Sequence, residues 1–521
     1  MLTVMAVSEL LILGVDAADF SILSSDSVSL PTLERLIQEG VSAPLKSTTP
    51  PITGAAWPAM ACGRDPNSIG MFDFRNFSRE DCREYRPSPS AVDPFWSYLS
   101  EDGHTTGISG YPVAPLDKPV DGFVLSWPWY LPEDEQQLAP EEFFDGTDIN
   151  VDDYIRENTE FEVETVLADL WDKAEFDERV LDRFDFDVYF THLDADTIIH
   201  IANEDTLDDV YQVYEAIDEI VESLLDHCAD DCAVMMVSDH GISKVHGKFY
   251  MTQFLIDQGL LQRETTTAER VTQTDISQRA IEKSKAVLKA LGLARPIQEL
   301  FLSGDEIRQQ AGLEHAFDFE DIDCENTVVV HSGDWGQLYG IDGADEVKTV
   351  VDTLSQMATE QGFQVAVDWP ETAYEGEKLH PDAPDAVVTI HAQDGILRPK
   401  SVVSPGKENP EDYFETFDTA NLNHGEDGVF VLSGPNVKHN AKIEPLHLLD
   451  VAPTILNQLV GVVPPNVHGT ARTDLYEPGS RPASAPETGF RDFQQTLIED
   501  RSEHGEMDEV KEKLAELGYF E

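Results

Sequence analysis

Three stretches of the chain run a short apolar segment straight into a carboxylate, and two of them then offer a histidine. LLILGVD ends at Asp16, DVYFTHLDADTIIH carries Asp196 and His200, and AVMMVSDHG ends in Asp239 and His240. A further histidine, His424, stands in NLNHGEDGVFVLSG, just before another apolar run. A single Asp at a strand end is usually a helix cap or a turn residue, so the argument rests on the set. Asp196, His200 and His424 would make one three-ligand site. Asp16, Asp239, His240 and the Thr53 oxygen would make another. Imidazole combined with carboxylate suits Zn²⁺, with Mn²⁺ as the alternative, because imidazole favours borderline metals over Mg²⁺ or Ca²⁺. Two such ions about 4 Å apart stabilise both the attacking and the leaving oxygen of an in-line displacement. That is the chemistry of phosphoryl or sulfuryl transfer.

A nucleophile candidate lies in STTPPITGAAWPAMA. Prolines hold the backbone extended up to Ile52, and a helix can start at Thr53. A helix N-terminus offers free N–H groups and a partial positive charge, a natural seat for a phosphate oxygen. A hydroxyl held there beside a metal can be deprotonated and attack. Without the metal set, Thr53 would read simply as an N-cap. Pro58 is tolerated only if it falls in the first turn.

Residues of this kind need a scaffold that delivers strand ends to one edge. In open α/β sheets the ligand crevice lies outside the carboxyl ends of the strands. LLILGV, FDVYFTHL and the run at 233–238 read as buried strands, and SLPTLERLIQEG, 160–183 and 205–228 read as amphipathic helices. This alternation predicts an α/β fold, a mostly parallel central sheet sandwiched by helices. Residues 255–325 read as a helical insertion or cap. Strands return at TVVVHS, WGQLYGI, DAVVTIHA and GVFVLSG, and a last helix covers EVKEKLAELGY. The expected organisation is a discontinuous catalytic domain, 1–254 with 326–475, the 255–325 insertion, and a C-terminal extension over 476–521.

The composition narrows the setting. Asp and Glu number 100 against 35 Lys and Arg, a net charge of −65. The acids are spread over the whole chain, so this is a surface property. Self-repulsion of that size destabilises a compact state at ordinary salt. At molar salt the Debye length is about 3 Å and most of it is screened. The expectation is a protein of a salt-rich halophile cytoplasm. The same charge argues against stable nucleic-acid binding. Five cysteines, an odd count, imply no disulfide framework, and idle thiols are expected. The opening residues read as a first strand and not as a signal peptide. No stretch reaches the roughly 20 apolar residues of a membrane span.

The motifs, in their order and spacing, resemble the type I phosphodiesterase/nucleotide pyrophosphatase group of the alkaline phosphatase superfamily. The resemblance rests on GVDAAD, the PPITGAAW segment followed by CGRDPNSIGMFDF, Asp196-x-x-x-His200, SDHG at 238–241 and HGEDGVFVLSGP at 424–435. It implies an alkaline phosphatase-like fold, two metals held as assigned above, and Thr53 as the nucleophile of a phospho-threonine intermediate that water then cleaves. The substrate would be a small phosphodiester or phosphoanhydride. The chain departs from the group's pattern at Cys62, Ile69, Ala56 and Gly425. Where nucleotide-cleaving members carry an Asn three residues after the nucleophile, Ala56 stands here. Oxyanion stabilisation would pass to the N–H groups of Gly54 and Ala55, with Trp57 and Lys244 as further substrate contacts and His246 or Lys248 as substitute cations. The alternatives are a phosphomonoesterase of the same superfamily, or an idle scaffold that binds a phosphorylated glycan or lipid head group.

Overall fold

The computed structural model describes residues 6–127, 137–151, 162–263 and 314–489, apart from 334, 376, 377 and 408. The first sheet takes β1 (Val7–Val15), β2 (Val41–Lys46), β3 (Thr106–Tyr111), β4 (Gly122–Ser126), β5 (Phe186–Leu193) and β6 (Ala233–Val237). β1 lies between β5 and β6, parallel to both. Its side chains alternate as a strand requires. Leu10 and Ile12 enter one core and Leu11 and Leu13 the other. A strand buried on both faces reads as a continuous apolar run, as LLIL does. Helices α1 (Pro31–Glu39), α2 (Thr53–Cys62), α3 (Val163–Leu181), α4 (Asp196–Ile201) and α5 (Leu207–Leu225) follow in chain order. Residues of α1, α3 and α5 close one face of the sheet, and α2 closes the other. The mostly parallel, helix-covered α/β sheet expected from the alternation is present.

A second sheet was not foreseen. It consists of β7 (Gly241–Phe249), β8 (Val329–Ser332), β9 (Gln337–Gly340), β10 (Gln364–Asp368), β11 (Ala386–His391), β12 (Ile396–Pro399) and β13 (Phe414–Gly425). Every pairing in it is antiparallel except β7 with β12. TVVVHS, WGQLYGI and DAVVTIHA therefore do not rejoin the central sheet. Only GVFVLSG does, as β14 (Asp427–Ser433), antiparallel between β2 and β6. Helix α6 (Asp345–Glu360) covers the second sheet through Val347, Val350 and Leu354.

The core of the expected insertion, residues 264–313, and the helix expected at EVKEKLAELGY lie outside the described residues. The insertion's flanks belong to the second sheet's core, through Leu255, Leu261, Phe317, Phe319 and Ile322. One pair of cysteines departs from the idle-thiol expectation. Cys82 and Cys324 form a disulfide across 242 residues, leaving Cys62, Cys228 and Cys232 as free thiols. Among the described residues, no helix is long and apolar enough to cross a membrane.

Candidate metal centre

Each functional side chain is delivered by the end of an element. Asp16 follows β1, Asp196 opens α4 just beyond β5, and His200 lies one turn further along α4. Asp239 and His240 fill the turn from β6 to β7, and His424 stands near the end of β13, opposite Ile242. The two sheets thus meet at this edge. β7 leaves His240 for the second sheet, and β13 brings His424 back from it.

The seven residues converge. His200 Nε2 is 3.0 Å from Asp196 Oδ2 and 3.2 Å from His424 Nε2, and His424 Nε2 is 3.5 Å from Asp196 Oδ2. His240 Nε2 lies 3.6 Å from Asp16 Oδ1, 3.4 Å from Asp239 Oδ2 and 3.2 Å from Thr53 Oγ1. The division expected between the two groups is less sharp in one respect. Ligand atoms of Asp16, Asp239 and His240 lie within 4.8 Å of one another, and so do those of Asp196, His424 and the same His240. The His240 and His424 rings are 4.1 Å apart, so His240 stands between the groups.

The donor set fits two divalent cations. Asp16 Oδ1 and both carboxylate oxygens of Asp239 are buried without a hydrogen-bond partner among the described residues. Buried polar atoms are otherwise nearly always paired. Burial, reinforced by Asp239, pushes Asp16 well above the usual carboxylate range. Burial and the charge of Asp196 raise Asp239 to about 7. Burial also works to raise Asp196, yet His200 and His424 hold its carboxyl well below that range. His424 is pushed down to about 3 by burial, with His240 beside it adding to the effect. Carboxylates gathered this closely resist ionising together unless cations lie among them.

Thr53 is the first residue of α2 and fully buried, while Ile52 occupies the cap position without a capping side chain. Gly54 is required here by close approach, because a Cβ would lie 2.5 Å from the Phe74 nitrogen. Pro58 falls in the second turn, not the first as expected, and its ring is accommodated inside a helix that is buried throughout. Ala55 N–H already donates to Ile52 O at 2.9 Å, so one of the two backbone donors assigned to an oxyanion is engaged.

Two expected substrate contacts are engaged by neighbouring carboxylates. Trp57 is completely buried and its Nε1 donates to Asp16 Oδ2 at 3.1 Å, which puts the indole behind a carboxylate instead of toward solvent. Lys244 is ion-paired with Glu204 at 2.6 Å and Asp394 at 3.3 Å. His246 pairs with Asp394 at 2.7 Å, and Lys248 with Glu314 at 3.0 Å, so neither is an unengaged cation.

Several supporting residues escaped the sequence reading. His192 lies opposite Gly14 in the parallel register, and its Nε2 is 3.1 Å from Asp16 Oδ2. Gly14 itself permits the approach of Trp57, whose Cη2 would lie 2.7 Å from an added Cβ. Asn423 Nδ2 is 3.3 Å from His200 Nδ1, and Gly241 O is 3.2 Å from His240 Nδ1. Trp335 of the second sheet stacks near-parallel to His424, centroids 6.4 Å apart. A histidine inside an otherwise apolar strand, as in FTHL, was the one available signal for His192.

The model of the type I phosphodiesterase / nucleotide pyrophosphatase family matches residues 10–389. The chain belongs to this family. The match spans α2, both Asp/His clusters except His424, and most of the second sheet. Among solved structures, human ectonucleotide pyrophosphatase / phosphodiesterase 5 is similar at 12% identity and a TM-score of 0.48, over 90% of this chain and 100% of that one. A search of curated proteins gave no match. This family member thus carries two buried Asp/His clusters consistent with a site for two metal ions.

Proposed function

We propose that this family member is a two-metal phosphohydrolase that cleaves phosphodiester or pyrophosphate bonds through a phospho-threonine at Thr53. The observation that carries the reading is the position of the Thr53 hydroxyl. It lies 3.2 Å from His240 Nε2, the residue common to both clusters, at the N-terminus of a buried helix. Asp196, His200 and His424 would hold one ion, and Asp16, Asp239 and His240 the other. Zn²⁺ is the ion we infer from the imidazole-carboxylate donor set, with Mn²⁺ as the alternative. When bound, such ions lower the pKa of a coordinated hydroxyl and neutralise charge on the transferring phosphoryl group.

The chain's own residues supply the remainder. Thr53 Oγ1 attacks phosphorus as the P–O bond to the leaving alcohol or phosphate breaks, and water later displaces the phosphoryl group from Thr53. Two in-line displacements give net retention at phosphorus. Gly54 N–H, at the positive end of α2, would be the backbone donor to a non-bridging oxygen. His192 and Trp57 hold the Asp16 carboxylate in orientation, and Asn423 does the same for His200.

The test is hydrolysis of bis-p-nitrophenyl phosphate and p-nitrophenyl phosphate with Zn²⁺ or Mn²⁺ added. Thr53→Ala is expected to abolish turnover while circular dichroism and metal content stay close to wild type. Undiminished hydrolysis by that variant would overturn the mechanism. A Thr53-dependent preference for the monoester would move the protein to the phosphomonoesterase reading.

We further propose a salt-rich cytoplasm as its setting, on the net charge of −65. The Cys82–Cys324 disulfide counts against that setting, since most cytosols keep thiols reduced. The charge argument has its own test. The denaturation midpoint is expected to fall steadily as KCl is lowered from molar to millimolar, and a midpoint independent of salt would refute it.

A further inference from the structure

A cavity of about 470 Å³ lies between the two sheets beside His424. Three of its walls are the chain segments that leave the Asp/His clusters: Asp19 after Asp16, Ser243 after His240, and Glu426 and Asp427 after His424. Trp335, whose ring stacks on His424, lines it as well. The far wall comes from β11 and the turn after it, with Thr389, His391 and Gln393. On β11, residues 387, 389 and 391 share one face. Val387 at the inner end joins the apolar core between the sheets, and Thr389 and His391 continue outward into the cavity.

Of the polar side chains here, Asp19 accepts from the N–H groups of Ser21 and Ile242. Among the described residues, the side chains of Ser243, Thr389, His391, Gln393, Glu426 and Asp427 form no hydrogen bond or ion pair. Thr389 is only 7% exposed, and it lines this space. Hydroxyls, an amide and an imidazole can each donate or accept, and two carboxylates at the rim accept only. No Lys or Arg lines the cavity. That composition repels an anionic group. It also lacks an open aromatic face, because Trp335 is 5% exposed.

We propose that this cavity seats one alcohol substituent of the phosphodiester, and that the substituent is uncharged and rich in hydroxyl groups, a polyol or sugar. The inference rests on the phosphodiesterase reading for its substrate, but the subsite can be tested separately. Kinetically, p-nitrophenyl glyceryl phosphate is compared with p-nitrophenyl propyl phosphate, which has the same chain length and no hydroxyls. The glyceryl ester is expected to show a KM at least tenfold lower. Thr389→Val, which keeps shape and removes the hydroxyl, is expected to bring the ratio of the two KM values toward one. Gln393→Leu, on an exposed residue, serves as the second variant should Thr389→Val fail to fold. Directly, myo-inositol is titrated into the metal-loaded protein by calorimetry, with binding expected for wild type and for Thr53→Ala and lost in Thr389→Val. Equal KM values for the two esters, together with no heat from myo-inositol, would overturn the inference while hydrolysis itself upholds the phosphodiesterase reading. Inositol binding that depends on Thr389, in a protein that cleaves neither ester, would uphold the subsite and overturn that reading.

Discussion

Two buried polar clusters share strand β5, and they differ in what they lack. Toward the middle of the strand, Lys173 Nζ donates to Ser109 Oγ at 3.0 Å, to Thr191 Oγ1 at 2.7 Å and to Asp177. Asp177 in turn accepts from Ser109 at 2.6 Å, Tyr189 at 2.8 Å and Thr191 at 2.5 Å. One cation, one anion and three hydroxyls close on themselves. At the carboxyl end of the same strand, His192 and then Asp196 enter a group with Asp16 and Asp239 that contains no Lys or Arg. Burial is nearly complete in both places. The difference is stoichiometry. The first cluster needs no ligand, whereas the second gathers three carboxylates without a Lys or Arg and leaves carboxylate oxygens unpaired among the described residues. A buried charge network that satisfies itself is structural, and one short of cations marks a binding site.

The largest expected effect comes from breaking each cluster in metal-free protein. Asp177→Ala leaves the Lys173 ammonium buried without its anion and is expected to cost about 3–5 kcal/mol in denaturant unfolding. Asp239→Asn removes one of several crowded carboxylates and is expected to leave metal-free stability unchanged or raised. With metal the order changes, because Asp239→Asn is expected to bind one equivalent less by calorimetry and to lose most of the stabilisation that ligand binding provides, about 4 kcal/mol at a thousandfold excess over Kd. If Asp239→Asn destabilised the metal-free protein as much as Asp177→Ala, the distinction between the clusters would collapse.

A smaller effect tests whether the open cluster is held from behind. Trp57→Phe keeps an aromatic ring but removes the Nε1 donor to Asp16 together with part of the buried indole. Loss of such a partner behind a ligand typically weakens metal affinity about 10–100-fold. The metal titration is expected to show that shift on top of the loss of metal-free stability that the smaller buried ring brings. An unchanged affinity would mean that His192 alone suffices to orient Asp16.

How much of this was legible in the chain follows from what is local and what is not. LLILGV, FDVYFTHL and the run at 233–238 became strands because a buried parallel strand is written in consecutive residues. The Asp and His residues that close those strands could be read for the same reason. Sheet membership could not, since β8, β9 and β11 look like any apolar strand until their partners are known. The Cys82–Cys324 bond spans 242 residues and left no mark in the spacing. Trp57 read as a substrate contact because an aromatic beside a nucleophile gives no sign of which way it faces. Four residues on from Thr53, it turns toward Asp16. Ala56, the departure that clouds a nucleotide substrate, is buried in the apolar core and offers no side chain to an oxyanion.

The smallest effect concerns a buried base that belongs to neither cluster. His331, on β8, is fully buried, its Nδ1 lies 3.0 Å from Ser401 Oγ and 3.5 Å from Thr252 Oγ1, and Nε2 is unpaired among the described residues. Burial, with no acid beside it, pushes its pKa down to about 3. An unfolded chain would titrate the same group near pH 6.5. Between those values the unfolded state binds a proton that the native state refuses, so native stability falls as the pH drops below about 6.5, by up to about 1.4 kcal/mol per pH unit from this residue. Above that range both states hold it neutral and it contributes no pH dependence. His331→Gln is therefore expected to flatten the acid limb of a stability profile and to leave the neutral region with the same slope. The mutant profile should retain whatever slope the carboxylates supply. An acid limb as steep as wild type would show that His331 takes up a proton in the folded protein, which requires an acid or water at Nε2.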